Sequence, residues 1–300
     1  MIVIKLSGGL GNQMLQYSLA VFLKQCAKDV KLDISSYQYI NEHYGPELFS
    51  VFNIEVPAEL GSSLDGYYKR ERKLEYYTSL ARKYRILPLL SPWKMRHLFR
   101  FKCERYEFPE IDLNKSALLL DDLLTMDDCI LKGCAYPFYL HTIEEQIREK
   151  YTFPTTSQFR EMVSMMENSE SVAIHVRRGD YLSYQNLSLP DQYYHVACSI
   201  IEKKVPDAHF YVFSEDNEFV RYLFKDKTNV TFMNGNEGNN SYWDMYLMSK
   251  CKHNIIANST FSWWGAWLNM NSNKITIRPN RWFDNYSFFS VTDNDLIIDY

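Results

Sequence analysis

The sequence predicts an α/β protein with parallel sheets, divided into two domains. Three observations carry this. Strand-like and helix-like segments alternate, most regularly from about residue 171 onward, and strands separated by helices make a parallel sheet. The chain has 300 residues, more than one core usually takes. Around "YTFPTTSQF" (151–159) it turns polar with a proline, which sets an expected boundary between 1–152 and 153–300.

The elements follow in order. "MIVIKL" is β-branched and apolar and breaks at "SGGLGNQ". The next stretch, "MLQYSLAVFLKQCAK", repeats its apolar residues at helical spacing through Met14, Tyr17, Ser18, Val21 and Phe22. "VKLDIS" (30–35) reads as a strand, and "CILKGCAY" (129–136) as a strand leaving through glycine. After the boundary, "SVAIHV", "HFYVFS", "NVTFM", "HNIIAN" and "KITIRP" read as strands. Between them "DQYYHVACSIIEKKV", "NEFVRYLFKD", "SYWDMYLMSKCK" and "STFSWWGAWLN" read as helices.

Composition excludes several classes. Apolar residues make up 46% with only 10 Pro and 11 Gly, which describes a packed chain. A net charge of −4 gives no general case for nucleic acid. The cysteines at 26, 103, 129, 134, 198 and 251 form no CxxC pair, and are expected to be reduced thiols of a cytoplasmic protein. The N-terminus lacks a basic region followed by a long apolar one, so no signal peptide is expected. No window approaches the roughly 18 apolar residues of a membrane span.

The chemistry concentrates at strand ends, where parallel sheets bind ligands. "HVRRGDY" (175–181) sets Arg177 and Arg178 between His175 and Asp180. Ser214, Glu215 and Asp216 follow "YVF", and Asn258, Ser259, Thr260 and Phe261 follow "IIA". Asn258 or Ser259 is placed to cap a helix whose N-terminus attracts phosphate. If the strand runs through both arginines, they face opposite ways. One then reaches a ligand, and the other pairs with Asp180 or Asp216. A purely structural ion-pair network is the competing reading. The planar fork of arginine suits a diphosphate.

"SGGLGNQ" fails two nucleotide motifs. A dinucleotide fingerprint needs glycine at 9, 11 and 14, and position 14 is Met; a P-loop needs a Lys-Ser/Thr ending. What remains is a glycine turn with Asn12 and Gln13 at a helix start, able to donate to a phosphate or sugar, or simply a turn. The only literal DxD, Asp293-Asn294-Asp295, lies near the C-terminus outside any expected strand end, so no metal is expected. The "RGD" at 178–180 is read as coincidence.

Together "HVRRGDY", "FYVFSEDNEFV", "DMYLMSKCKHNIIANSTFSWWGAWLN" and "GGLGNQ" closely resemble the bacterial α-1,2-fucosyltransferases of glycosyltransferase family 11. The HxRRxD element is shared with α-1,6- and protein O-fucosyltransferases, which use GDP-fucose. The resemblance implies a GT-B-like fold, two Rossmann-like domains with parallel sheets facing across a cleft. It implies inverting, metal-independent transfer of L-fucose from GDP-β-L-fucose to the 2-hydroxyl of a β-galactosyl residue, with no cofactor. Arg177 would hold the β-phosphate and stabilise departing GDP, with Asn12 near the fucose. His175 would lie close to the nucleotide, Arg178 would support the motif, and Asp244 would read guanine. Ser259, Thr260 and Phe261 would contact phosphates or base. Asp180, Ser214, Asp216, Asn258, Gly9, Gly11 and Gln13 complete the expected donor-binding set. Another GDP-sugar transferase, or a non-catalytic GDP-sugar- or glycan-binding protein, would share this pocket.

The acceptor side is less typical, with Cys134 and Pro137 interrupting an expected glycine-aromatic pattern. The candidates for a catalytic base are Glu47, Asp33 and Asp180. Between Lys69 and Arg105 lie twelve Lys or Arg and three Glu, a local charge of +9, with tyrosines interleaved. The competing readings are a solvated helical face, or a patch for peripheral contact with the inner membrane face and a lipid-linked, galactose-terminated acceptor.

Overall fold

A computed structural model describes residues 1–34, 37, 44–56, 110–113, 120–125, 128–134, 137–183, 187–281 and 290–300. The basic segment 69–105 and Cys103 lie outside the described residues. The chain divides into two compact units, one of residues 1–49 and 55–144 and one of residues 50–54 and 145–300.

The first unit holds a four-stranded parallel sheet of β1 (Ile2–Lys5), β2 (Val30–Asp33), β3 (Glu110–Asp112) and β4 (Cys129–Lys132), in the order β2-β1-β4-β3. Helix α1 (Leu10–Gln25) follows β1, and the short α2 (Glu47–Val51, which begins in this unit and ends in the second) and α3 (Leu120–Thr125) lie further along. Ile2, Val3 and Ile4 are all buried, so β1 reads as a continuous apolar run. The helix starts at Leu10, a turn earlier than its apolar spacing suggests, because Asn12 and Gln13 donate their backbone N–H groups to Gly9 C=O at 3.0 and 3.1 Å.

The second unit is a six-stranded, all-parallel sheet of β5 (Glu170–His175), β6 (Ala208–Phe213), β7 (Val230–Met233), β8 (His253–Ile255), β9 (Thr276–Pro279) and β10 (Leu296–Ile298). Its order, β10-β9-β8-β5-β6-β7, is that of a doubly wound nucleotide-binding sheet. The helices are α4 (Glu144–Lys150, which begins at the junction), α5 (Arg160–Asn168), α6 (Asp191–Lys204), α7 (Asn217–Leu223), α8 (Tyr242–Lys250) and α9 (Thr260–Leu268). Successive residues of β5 point to opposite faces. Val172 and Ile174 pack with Tyr194, Ala197 and Ile201 of α6, whereas Ala173 packs with Met166, Leu247 and Met248 on the other face. Each buried Ile, Leu or Val contributes about 1.5–3 kcal/mol by leaving water.

Two expectations change. Strands β3 and β10, three residues each, carry too little pattern to read from sequence. Strand β5 ends at His175, so Arg177 and Arg178 diverge from a turn rather than across a strand. The Asp293-Asn294-Asp295 run precedes β10, which begins at Leu296, and does not follow a strand end.

Candidate functional site

Because β6 and β8 flank β5, the chain leaves β5 toward one side of the sheet and β8 toward the other. The crevice beyond the carboxyl ends of β5 and β8 is where such sheets bind ligands. His175 ends β5 and the "ANS" turn ends β8, so two of the expected strand ends meet at this switch point; the third, after β6, is next to β5.

His175 is 4% exposed, its ring centroid 5.8 Å from that of Phe261. Burial, and then the charge of Arg177, hold its pKa down to about 3, so the imidazole is neutral. Its Nδ1 makes no hydrogen bond among the described residues.

The two arginines part company here. Arg178 turns toward α7, where its Nε donates to Asp216 Oδ2 at 2.9 Å and its guanidinium carbon lies 3.6 Å from the Phe219 ring centre. Asp216 in turn caps α7, accepting from Phe219 N–H at 3.0 Å, and its own N–H donates to Ser214 Oγ at 3.1 Å. Burial alone would raise the Asp216 pKa; the Phe219 N–H and Arg178 outweigh it and hold the carboxyl below its usual range. Ser214, Asp216 and Arg178 therefore build the turn.

Arg177 takes different partners. Its Nη1 lies 3.3 Å from Glu215 Oε1 and its guanidinium carbon 5.4 Å from the Tyr181 ring centre. The same Glu215 Oε1 accepts from Arg178 N–H at 3.2 Å. Glu215, named from sequence with Ser214 and Asp216 but not carried into the expected donor-binding set, is the side chain that meets both arginines. A methyl at Gly179 would sit 2.5 Å from Glu215 Oε1, so this position must be glycine for the carboxylate to come so close. Asp180 lies on the 3-10 turn Gly179–Ser183.

At the end of β8, Ser259 caps α9, its Oγ accepting from Phe261 N–H at 3.3 Å; Asn258 is not the cap. Asn258 instead fastens the loop after β5, donating to Leu187 C=O at 2.9 Å while its own C=O accepts from Tyr181 O–H at 3.0 Å. Thr260 is buried in the first turn of α9.

Asp244 lies in the first turn of α8, where Asn236 Nδ2 donates to its Oδ1 at 2.8 Å. Burial pushes its pKa up to about 7, against the Asn236 hydrogen bond, and the charge of Glu215 raises it further. The ends of β6 and the start of α8 thus share one polar region.

In the first unit, Gly8 has φ +76° and a Cβ there would lie 2.5 Å from Asn12 Nδ2, so Asn12 covers the glycine turn closely. Gly9 is the N-cap of α1, and Gly11 is buried within it. Gln13 is fully buried: Nε2 donates to Gly8 C=O and Gly45 C=O, both at 2.9 Å, and Oε1 accepts from Leu48 N–H at 3.0 Å. It clamps this unit's loops, a different role from the donor contact expected of it. Gln16, not noticed in the sequence, joins Ser7 to Gly133 in the same way. Asp33 ends β2, and Glu47 is buried at the start of α2. Burial drives the Glu47 pKa to about 7, opposed by the Leu10 N–H at the head of α1.

Asp295 binds its own loop, accepting from Val291 N–H at 2.6 Å and Thr292 N–H at 3.0 Å, and lies 3.3 Å from Arg278 Nε. Among the described residues no group of three or more His, Cys, Asp or Glu is placed to hold a metal ion. None of their helices is long and apolar enough to cross a membrane. The described cysteines 26, 129, 134, 198 and 251 form no disulfide among the described residues.

A doubly wound sheet with an arginine and a helix start at its switch point defines a site for a nucleotide-linked substrate. The profile of glycosyl transferase family 11 matches residues 99–295, and the chain belongs to that family; it is a glycosyltransferase. It is 29% identical over 94% of its length, and 92% of the relative's, to an α-1,2-colitosyltransferase of Escherichia coli. A 122-residue stretch, 39% of this chain and 40% of the other, is 43% identical to the O-antigen biosynthesis glycosyltransferase WbnK of Escherichia coli. A galactoside α-(1,2)-fucosyltransferase 1 of Ateles belzebuth is 26% identical over 64% of the chain and 55% of its own length. The fucosyltransferase NodZ from Bradyrhizobium superposes with a TM-score of 0.48 at 12% identity, covering 89% of this chain and 92% of that one.

Proposed function

We propose that this enzyme is a galactoside α-1,2-L-fucosyltransferase, inverting the anomeric carbon as it moves L-fucose from GDP-β-L-fucose to the 2-hydroxyl of a β-galactosyl residue. The observation that carries this is Arg177, held by Glu215 at the carboxyl end of β5 beside the Ser259-capped start of α9. A guanidinium and a helix N-terminus stabilise charge that develops on a departing diphosphate, the interaction that counts most in the transition state. The acceptor hydroxyl attacks from the face opposite GDP, and the sugar contact is assigned to Asn12 on the family resemblance. Asp244, when ionised, accepts from guanine N1–H and N2–H₂, which adenine does not present. The reaction needs no metal and no cofactor.

A second reading concerns the sugar alone. Colitose is 3-deoxy-L-fucose, and the relative aligned over 94% of this chain is named for it. The same site would hold GDP-colitose, differing only in one hydroxyl of the transferred ring.

The experiment is a donor and acceptor panel read by mass spectrometry. GDP-fucose and GDP-colitose are each offered with lactose and other β-galactosyl disaccharides, and the linkage of the product is determined. α-1,2-fucosylated product supports the first reading, and product from GDP-colitose alone replaces it with the second. Binding of GDP-sugar with no product from any acceptor would leave a binding protein. For the basic segment 69–105, we propose peripheral contact with the inner membrane face, which would bring the enzyme to a lipid-linked acceptor. Absence of co-sedimentation with anionic liposomes would overturn it.

A further inference from the structure

We propose that Glu215 receives a ribose hydroxyl of the nucleoside diphosphate on its Oε2 oxygen. The inference rests on the reading that a nucleotide diphosphate occupies the β5–β8 crevice. Its carboxylate is anchored through one oxygen only: Oε1 faces Arg177 Nη1 at 3.3 Å and accepts from Arg178 N–H at 3.2 Å. Oε2 makes no bond among the described residues, and the side chain is 35% exposed. The result is a partly exposed carboxylate held through one oxygen, with the other left to take a donor.

Topology says what that oxygen faces. In the order β10-β9-β8-β5-β6-β7, β5 is the first strand of the doubly wound sheet and Glu215 follows the second, β6. In such sheets the first strand–helix turn holds the phosphates, and an acidic side chain at the end of the second strand takes a ribose hydroxyl. Here the first turn is the arginine turn, and Gly179 within it lets Glu215 approach closer than any Cβ would permit.

Charge agrees with topology. A carboxylate near a diphosphate repels it unless a donor on the ligand meets it. Between the diphosphate and the base, the donors a nucleotide offers are its ribose 2′- and 3′-hydroxyls. Glu215 lies between Arg177, assigned to the phosphate, and Asp244, assigned to guanine, whose ionisation it influences.

Calorimetry with GDP, 2′-deoxy-GDP and 3′-deoxy-GDP tests this on the wild-type chain and on Glu215→Ala and Glu215→Gln. One deoxynucleotide should bind the wild type about tenfold more weakly than GDP, as loss of a charge-assisted hydrogen bond implies. In Glu215→Ala that ratio should fall to near one; in Glu215→Gln, which keeps the side chain's size, it should lie between. Any loosening of Arg177 weakens all three ligands alike and cancels in the ratio. Equal affinity of the wild type for all three, or an unchanged ratio in both variants, overturns the proposal. Failure of the wild type to bind GDP overturns the occupancy reading as well. Binding with the expected ratio but without sugar transfer overturns only the transferase reading.

Discussion

The Arg178 guanidinium lies 3.6 Å from the centre of the Phe219 ring, packed against the helix that Asp216 caps. Its neighbour Arg177 makes a partly exposed ion pair with Glu215 at 3.3 Å. The two adjacent arginines thus answer different needs, and their substitutions should separate. Arg178→Ala removes a charged hydrogen bond and a cation–π contact and should cost about 1–3 kcal/mol of stability. Loss of the Arg177–Glu215 pair in Arg177→Ala should itself cost under about 1 kcal/mol, because partly exposed pairs are weak. Turnover should fall about 10²–10³-fold in Arg177→Ala, the loss typical of removing one donor to a developing anion. Arg177→Lys should recover little of it, for want of the fork. Urea denaturation and turnover measured on the three proteins decide it; an Arg177→Ala enzyme with near-normal turnover would sink the role given to this side chain.

Asp244 gives a pH dependence with a definite sign. Burial raises its pKa to about 7, so the folded chain binds a proton there that the unfolded chain, titrating near 4, has released. The buried charge therefore destabilises the fold above pH 7, and the penalty is relieved as pH falls toward 4. Asp244→Asn should stabilise the protein at pH 8 and lose that advantage by pH 5. Reading guanine needs the ionised carboxylate, so GDP-fucose affinity should fall up to about tenfold per pH unit below 7. GDP-fucose is the ligand to use, because its esterified diphosphate does not titrate in this range. Affinity independent of pH from 5 to 8 would contradict the guanine contact.

The arginine turn was legible in the sequence because an apolar run ending in charges marks the edge of a buried strand, and the alternation of elements says which edge. Ser259 was one of two caps offered by the "ANST" sequence, and the fold chose it. Glu215 was harder, since its neighbours Ser214 and Asp216 look equally polar; only the space left by Gly179 shows which of the three turns toward the arginines. The strand order that makes Glu215's place meaningful depends on β8 pairing with β5 about eighty residues away, which no local pattern encodes.

Gln13 illustrates the opposite case. An amide at a helix start after glycines suggests a ligand contact, yet besides Gly8 its partners are Gly45 and Leu48, more than thirty residues away. Gln13→Ala would leave a buried N–H and two carbonyls without this partner, at about 1–3 kcal/mol for each group left unsatisfied. We expect a loss of roughly 2–4 kcal/mol in chemical denaturation. Gln13→Glu should be at least as damaging, since it removes the donor and buries a charge. If either variant keeps wild-type stability but loses donor affinity, the amide is a ligand contact after all.

The Asp293-Asn294-Asp295 run sets two chemistries against each other. As a metal motif, it would make turnover depend on a divalent ion and leave the fold indifferent to Asp295. Asp295 instead receives two backbone N–H groups and faces buried Arg278 at 3.3 Å. Removing one member of a buried pair leaves the other charge uncompensated, a cost of about 3–5 kcal/mol. Asp295→Ala should therefore lower the melting temperature by many degrees, and excess EDTA should leave wild-type turnover unchanged. Stability like the wild type in Asp295→Ala, together with activity that EDTA abolishes and Mn²⁺ restores, would transfer the neutralisation of GDP from Arg177 to a metal.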